Sequence, residues 1–249
     1  MQSFDPPLRL GLQPIAIADW LRPLDGDGVL LGARREILAR HSDSVAAERP
    51  EAAAAVAELW EHLIALSRVT GPVPSRERMA GLGARIAEDL CVLTADSAGT
   101  LRLTAAVVCF PNRWRLKDKI GTTMMETHGP VPDYASTVGA SVDRFLGRLK
   151  PLKPYVRSNW GVTATDGLFT PDPTPPLDPL AGDGFVRRED QSFLKLPVSG
   201  AVVFSIRTSF AALSALSAED RGALAESIKN LSPAWRHYKS LRPSDTPTE

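Results

Sequence analysis

Residues 105–134 read AAVVCFPNRWRLKDKIGTTMMETHGPVPDY. The first six, from Ala105 to Phe110, form an unbroken apolar run that stops at Pro111, and a proline cannot donate to a sheet ladder. A buried strand is therefore expected to end there. Asn112, Arg113 and Trp114 make a turn, residues 116–120 supply one amphipathic turn of helix, and Thr122-Thr123-Met124-Met125 leads to His128. Gly129-Pro130-Val131-Pro132 follows. Each proline fixes its own φ and biases the residue before it toward extended backbone. The pattern predicts that His128 is presented by a stiff, extended segment.

A rigidly held imidazole suits a metal centre, because a ring that must be ordered on binding loses affinity. A zinc site needs three or four protein ligands, and no Cys, His or carboxylate set at ligand spacing accompanies His128. A haem differs, since the macrocycle fills four iron positions and the protein can supply a single axial group. The competing reading is a structural histidine satisfied by hydrogen bonds.

Outward from this stretch, the 249 residues are 43% apolar and 23% charged, ordinary for a globular protein with a sizeable core. The 29 basic and 29 acidic residues balance to a formal net charge of +0, so no general attraction to nucleic acid or an acidic membrane is expected. No window approaches the ~18 apolar residues of a membrane span, and the N-terminus lacks the apolar core of a signal peptide. Cys91 and Cys109, with no CxxC, fall on expected strands as small core residues, which suggests a reducing cytoplasm.

Residues 5–31 read as a strap packed on the body through Leu8, Leu10, Leu12, Ile15, Ile17, Trp20 and Leu21. Helices are expected over 32–40, 50–69 and 79–90, with His41 and His62 in this helical region and His62 on a solvated surface. Strands over 90–94 and 101–110 form a hairpin. A helix over 136–149 carries Val138, Val142, Phe145, Leu146 and Leu149 at helical spacing. Strands follow over 155–163, 185–196 and 201–210, after a proline-rich loop over 168–184. Ser217 caps the last helix, and the polar tail from Ser240 is expected to fray. Two strands, then helices, then three strands give an α+β, PAS-like domain, its antiparallel five-stranded sheet covered on one face by helices. The divisions are an N-terminal strap and helices over 1–85, the core over 86–240 and a tail over 241–249. A histidine in the middle segment would point into the cavity between sheet and helices, by analogy of fold alone.

Three strands carry polar residues where apolar ones are expected. Phe185, Arg187, Glu189, Gln191 and Phe193 share one face. If that face meets the cavity, Arg187 and Glu189 need partners there; the alternative is a wet edge strand. Arg207 interrupts the apolar run Val203-Phe204-Ser205-Ile206, and a buried arginine demands an anion, such as Glu189 or a cofactor carboxylate. Arg157 and Asn159 alternate with Ser158 and Trp160, so one polar pair faces the cavity. Trp160 and Trp114 serve either core or cavity wall.

The blocks VVCFPNRW, THGPVPDY, VRSNWGV, VRREDQSFLKLP and VFSIRTSF resemble the signatures of the haem-dependent oxidative N-demethylase family (DUF3445), whose relatives include the haem subunit of dimethylamine monooxygenase. The resemblance runs from GLQP and DWL at 11–21 to Tyr238-Lys239. Its HxPVPxY motif falls on His128, Pro130, Val131, Pro132 and Tyr134, while Asp190 departs from a commonly basic position. The resemblance implies a PAS-like fold holding haem b through His128, with Pro130, Tyr134, Asn159, Trp160 and Arg187 around the cofactor. It implies O2-dependent removal of a methyl group as formaldehyde from a small secondary or tertiary amine, with Glu189 and Arg207 in catalytic roles. Electrons would come from a separate flavin and iron–sulfur reductase, because no such motif occurs in this sequence. The alternative function is a PAS-like haem sensor or a binding protein without turnover.

Overall fold

The computed structural model describes residue 4 and residues 11–178 and 183–242. Leu8, Leu10, Pro179 and residues 243–249 of the expected tail lie outside the described residues. The strands are β1 (Gln13–Pro14), β2 (Ala46–Glu48), β3 (Asp89–Ala95), β4 (Leu101–Val107), β5 (Tyr155–Thr163), β6 (Phe185–Lys195) and β7 (Val202–Ala212). The helices are α1 (Asp27–Val45), α2 (Ala53–Ala65), α3 (Arg78–Gly83), α4 (Met124–Thr127), α5 (Tyr134–Thr137), α6 (Gly139–Arg148), α7 (Ala218–Lys229) and α8 (Pro233–Tyr238).

The strands form one antiparallel sheet in the order β1-β5-β6-β7-β3-β4-β2, which makes it seven-stranded and not five-stranded. The five expected strands are its contiguous centre. The two additions are short edges: β1 pairs Gln13 with Val156, and β2 pairs Ala46 with Val107. The β3–β4 hairpin turns on Asp96, whose carboxylate accepts the Ala98 and Thr100 N–H groups, and on Gly99 at φ 80°.

Alternation along the strands sorts the two faces. Leu90, Val92, Leu194 and Val203 pack with Trp20, Trp60, Leu59 and Leu63 of the strap and α2. Trp20 is fully buried, and its indole N–H donates to Ser192 Oγ at 3.0 Å, fixing the strap to the sheet. Cys91, Leu93, Phe193 and Phe204 point the other way, toward Leu116, Val142, Phe145 and Leu146. Trp160, Val162 and Val186 form a third cluster with Leu224 and Ile228 of α7. The helix beginning at Ser217 is capped as expected, its hydroxyl accepting the Asp220 N–H at 3.0 Å.

A buried ion pair fixes the exit from β4. Asp89 accepts Arg34 Nη1 at 2.6 Å and the backbone N–H groups of Cys109 and Phe110 at 2.8 and 3.1 Å. The carboxylate replaces the ladder partners that the chain gives up as it turns out of the sheet.

Several expectations are corrected. The helix expected over 79–90 ends at Gly83, because the chain must enter β3 at Asp89. The helix expected over 136–149 is broken at Val138 into α5 and α6. Residues 128–133 are consecutive turns and bends, not an extended segment, with the Val131 N–H bonded to the His128 carbonyl at 2.8 Å. His62 is half buried, and its Nε2 lies in the interior without a hydrogen-bond partner among the described residues. Ser240 to Arg242 are not frayed: Ser240 O accepts from Leu177 N, and Arg242 N donates to Leu177 O, both at 2.9 Å.

Candidate functional site

A cavity of about 290 Å³ lies between the Phe193/Phe204 face of the sheet and the chain from Asn112 to Leu146, with Trp235 and Tyr238 of α8 and Lys239 just after it adding to its lining. His128 enters it from the C-terminus of α4. Four residues of helix are too few to hold themselves together, and a reciprocal cap does the work. Thr123 Oγ1 accepts the Glu126 N–H at 3.2 Å, and Glu126 Oε2 accepts the Thr123 N–H at 2.8 Å. The stiffness inferred from the prolines is thus supplied by this box and the turn after it.

His128 Nδ1 is 2.9 Å from the Met124 carbonyl, an acceptor only, so Nδ1 carries the proton and Nε2 keeps its lone pair. Burial holds the ring below the usual histidine range, and nearby Lys119 and Arg157 push the same way; the imidazole is neutral near pH 7. Tyr134 stacks on it at 4.5 Å between centroids and 11° between planes. Gly139 permits this, because a Cβ there would sit 2.7 Å from Met125 Cε and 3.3 Å from Tyr134 Cε1. The Tyr134 hydroxyl is buried with no hydrogen-bond partner among the described residues, and burial pushes its pKa up to about 12.

The floor is polar. In register, Arg157 faces Gln191, Asn159 faces Glu189 and Gly161 faces Arg187. Arg187, 1% exposed, donates from Nε to Glu189 Oε1 at 3.1 Å, and from Nη2 to Phe110 O at 2.6 Å and Thr208 Oγ1 at 3.2 Å. Its Nη1 is buried without an acceptor among the described residues. Gln191 Nε2 donates to Glu189 Oε2 at 3.2 Å. Lys239 places its ammonium 4.4 Å from the Trp160 ring centroid and donates to the Trp160 carbonyl at 2.5 Å. Burial lowers its pKa to about 8, with Arg113 and Arg157 adding to the effect and Glu189 opposing it. Among the described lining residues, five cations (Arg113, Lys119, Arg157, Arg187, Lys239) face one carboxylate, Glu189.

Of the residues singled out from sequence, the cavity brings together His128, Tyr134, Asn159, Trp160, Arg187 and Glu189, with Trp114. Pro130 is exposed and does not line it. Trp160 reaches the cavity edge while its side chain packs with α7. Arg207 is a correction. Ile206 and Phe204 line the cavity, so Arg207 projects from the opposite face, where it is bonded to Asp27 at 2.5 Å and Glu88 at 2.7 Å. Its anion is neither Glu189 nor a ligand of the cavity. Cys109 also packs in the strap-side core, and burial holds its thiol up at about 12; the cysteine at the cavity is Cys91.

Sequence reasoning missed Arg113, Lys119 and Lys239. Arg113 lies inside the VVCFPNRW block and adopts φ 60°, which aims the chain after β4 at the cavity. Lys239 closes a six-residue helix and carries no periodic signal that it would be buried. Among the described residues no group of three or more His, Cys, Asp or Glu could hold a metal ion by itself, and no helix is long and apolar enough to cross a membrane.

The model of the family described as haem-dependent oxidative N-demethylase, alpha subunit-like, matches residues 66–247. No curated protein matches the chain. The family match spans the hairpin, the His128 segment, the polar strands and α8, which together build the cavity. The chain belongs to the haem-dependent oxidative N-demethylase, alpha subunit-like family.

Proposed function

We propose that this chain is the haem-bearing component of an oxidative N-demethylase, which uses O2 and external electrons to release formaldehyde from an N-methylated secondary or tertiary amine. The observation that carries the reading is His128: a neutral imidazole, its Nδ1 proton spent on a backbone carbonyl, offering an unprotonated Nε2 in a cavity rich in cations. This is the donor set that suits haem b. His128 would hold the iron through Nε2, and the cavity cations would hold the two propionates. Lys119 and Arg157, which line the cavity with His128, are the residues we assign to the propionates. The order β4-β3-β7-β6-β5, with His128 between the hairpin and the last three strands, supports a PAS-like reading of the sheet centre.

When bound, the haem supplies oxygen activation and the one-electron chemistry that side chains lack. The chain's own residues do the rest. Glu189 accepts an N–H of the substrate ammonium with lone pairs left over from Arg187 and Gln191. Phe193, Phe204 and Ile206 wall the methyl groups, and Phe145 closes edge-on against Phe193 at 5.8 Å, excluding water. Lys239 and Glu189 are the titratable groups placed to move protons. A separate flavin and iron–sulfur reductase would deliver the electrons.

The test is a Soret band in the purified protein, followed by formaldehyde assay with a panel of N-methyl amines, O2 and an electron donor. Formaldehyde in proportion to amine consumed is the expected result. Stoichiometric haem with no formaldehyde from any amine would leave a sensor.

A further inference from the structure

We propose that the Glu189 region of the cavity reads a zwitterion, so that the amine oxidised there also carries a carboxylate: an N-methyl or N,N-dimethyl amino acid, not a simple alkylamine. The proposal rests on the N-demethylase reading and narrows its substrate class.

Charge is the first argument. Among the described residues, five cations line the cavity against Glu189 alone. Two propionates at Lys119 and Arg157 would still leave Arg113, Arg187 and Lys239 around one carboxylate. An alkylammonium brings a further positive charge into that set, at low dielectric, where like charges repel strongly. A ligand with its own carboxylate enters at no net charge and meets both signs.

Arg187 also carries an orphan donor. Arg187 is 1% exposed, three of its contacts are made by Nε and Nη2, and Nη1 is buried with no acceptor among the described residues. A buried cation with an unused donor is costly unless a ligand completes it. Arg187 and Glu189 project from the same face of β6 and touch at 3.1 Å, so acid and guanidinium are side by side. In an α-amino acid the ammonium and carboxylate are likewise adjacent, separated by one carbon. Glu189 takes the ammonium and Arg187, with Arg113, takes the carboxylate.

Lys239 adds a readout. Burial and the neighbouring Arg113 and Arg157 hold its pKa down at about 8. A bound carboxylate raises it, so binding near pH 8 takes up a proton and weakens as pH rises. A haem propionate offers Arg187 the same carboxylate chemistry, and the arms of the experiment separate the two sources.

Purified protein, with its haem content measured as pyridine haemochrome, is titrated calorimetrically at pH 8 with N,N-dimethylglycine, dimethylamine and acetate. The expected result is that N,N-dimethylglycine binds at least about tenfold more tightly than either fragment, as charge-assisted bonds to both ends require. Proton uptake should appear as an enthalpy that depends on the buffer. Arg113→Gln and Lys239→Met should narrow the N,N-dimethylglycine to dimethylamine ratio about tenfold with haem content retained. Dimethylamine binding as tightly as N,N-dimethylglycine overturns the proposal. So do variants that lose haem and keep the preference, which would give these cations to the propionates. Protein without haem that still prefers the zwitterion would sink the demethylase reading and leave this site standing; haem without the preference would do the reverse.

Discussion

Replacing Arg207 with methionine separates the two faces of the sheet. Its guanidinium lies 2.5 Å from Asp27 Oδ1 and 2.7 Å from Glu88 Oε1, with side-chain exposures of 16, 13 and 7%. Removing one member of a fully buried pair costs about 3–5 kcal/mol; the remaining solvent access here reduces this to about 2–4 kcal/mol. For a chain of this size that corresponds to a fall of roughly 5–15 °C in Tm. The deficit depends on pH. Burial raises the Glu88 carboxyl above its ordinary 4.5, Arg207 only partly offsetting it, and without Arg207 it rises further. Burial also pushes Asp27 up, but the Arg207 hydrogen bond brings it below 3.8. The unfolded carboxyls are the same in both proteins, so the wild-type advantage is full above the variant's folded pKa values and shrinks as pH falls through them to the wild-type ones, the Glu88 share being lost above 4.5 and the last of the Asp27 share below 3.8. Melting curves at pH 7 and 5, with haem counted per folded chain, check this. An unchanged Tm would refute the ion cluster, and loss of haem from a folded variant would refute the placement of Arg207 away from the cavity.

Thr123→Ala removes half of the reciprocal cap on α4 and should cost about 1 kcal/mol in urea unfolding while loosening His128; a faster haem loss rate is the second readout. Gly83→Ala places a Cβ 2.5 Å from Val107 Cγ2 and should destabilise by about 1–3 kcal/mol, read by thermal melting. Glu189→Gln should keep haem but lower formaldehyde production about 10²-fold, since it removes the anionic acceptor and a proton carrier together; wild-type turnover would take Glu189 out of the site.

The centre of the sheet was legible because its strands carry their own signals. Residues 155–163 put Arg157 and Asn159 on one face and Val156, Trp160 and Val162 on the other and form β5 with those same bounds, and the Arg187-Glu189-Gln191 face of β6 was read as one unit. The edge strands were not legible. Two residues in β1 and three in β2 are too few for any periodicity, and their pairing is imposed by the strap and by α1. Arg207 was rightly read as needing an anion but given the wrong face, although its alternation with Phe204 and Ile206 contained the answer. His128 stood out, yet its support came from Thr123 and Glu126 and not from the prolines. The cations Arg113, Lys119 and Lys239 reach the cavity from a turn, a short 3₁₀ segment and a helix end, where only the tertiary fold decides burial.

The most direct measurement compares the ferric absorption spectrum and haem stoichiometry of the wild type with those of His128→Ala, with and without added imidazole. The expected result is a Soret band in the wild type, loss of haem or a shifted spectrum in the variant, and restoration by imidazole at the vacated position. A variant that retains full haem with an unaltered spectrum would contradict His128 as the axial ligand and, with it, the proposed function of the cavity.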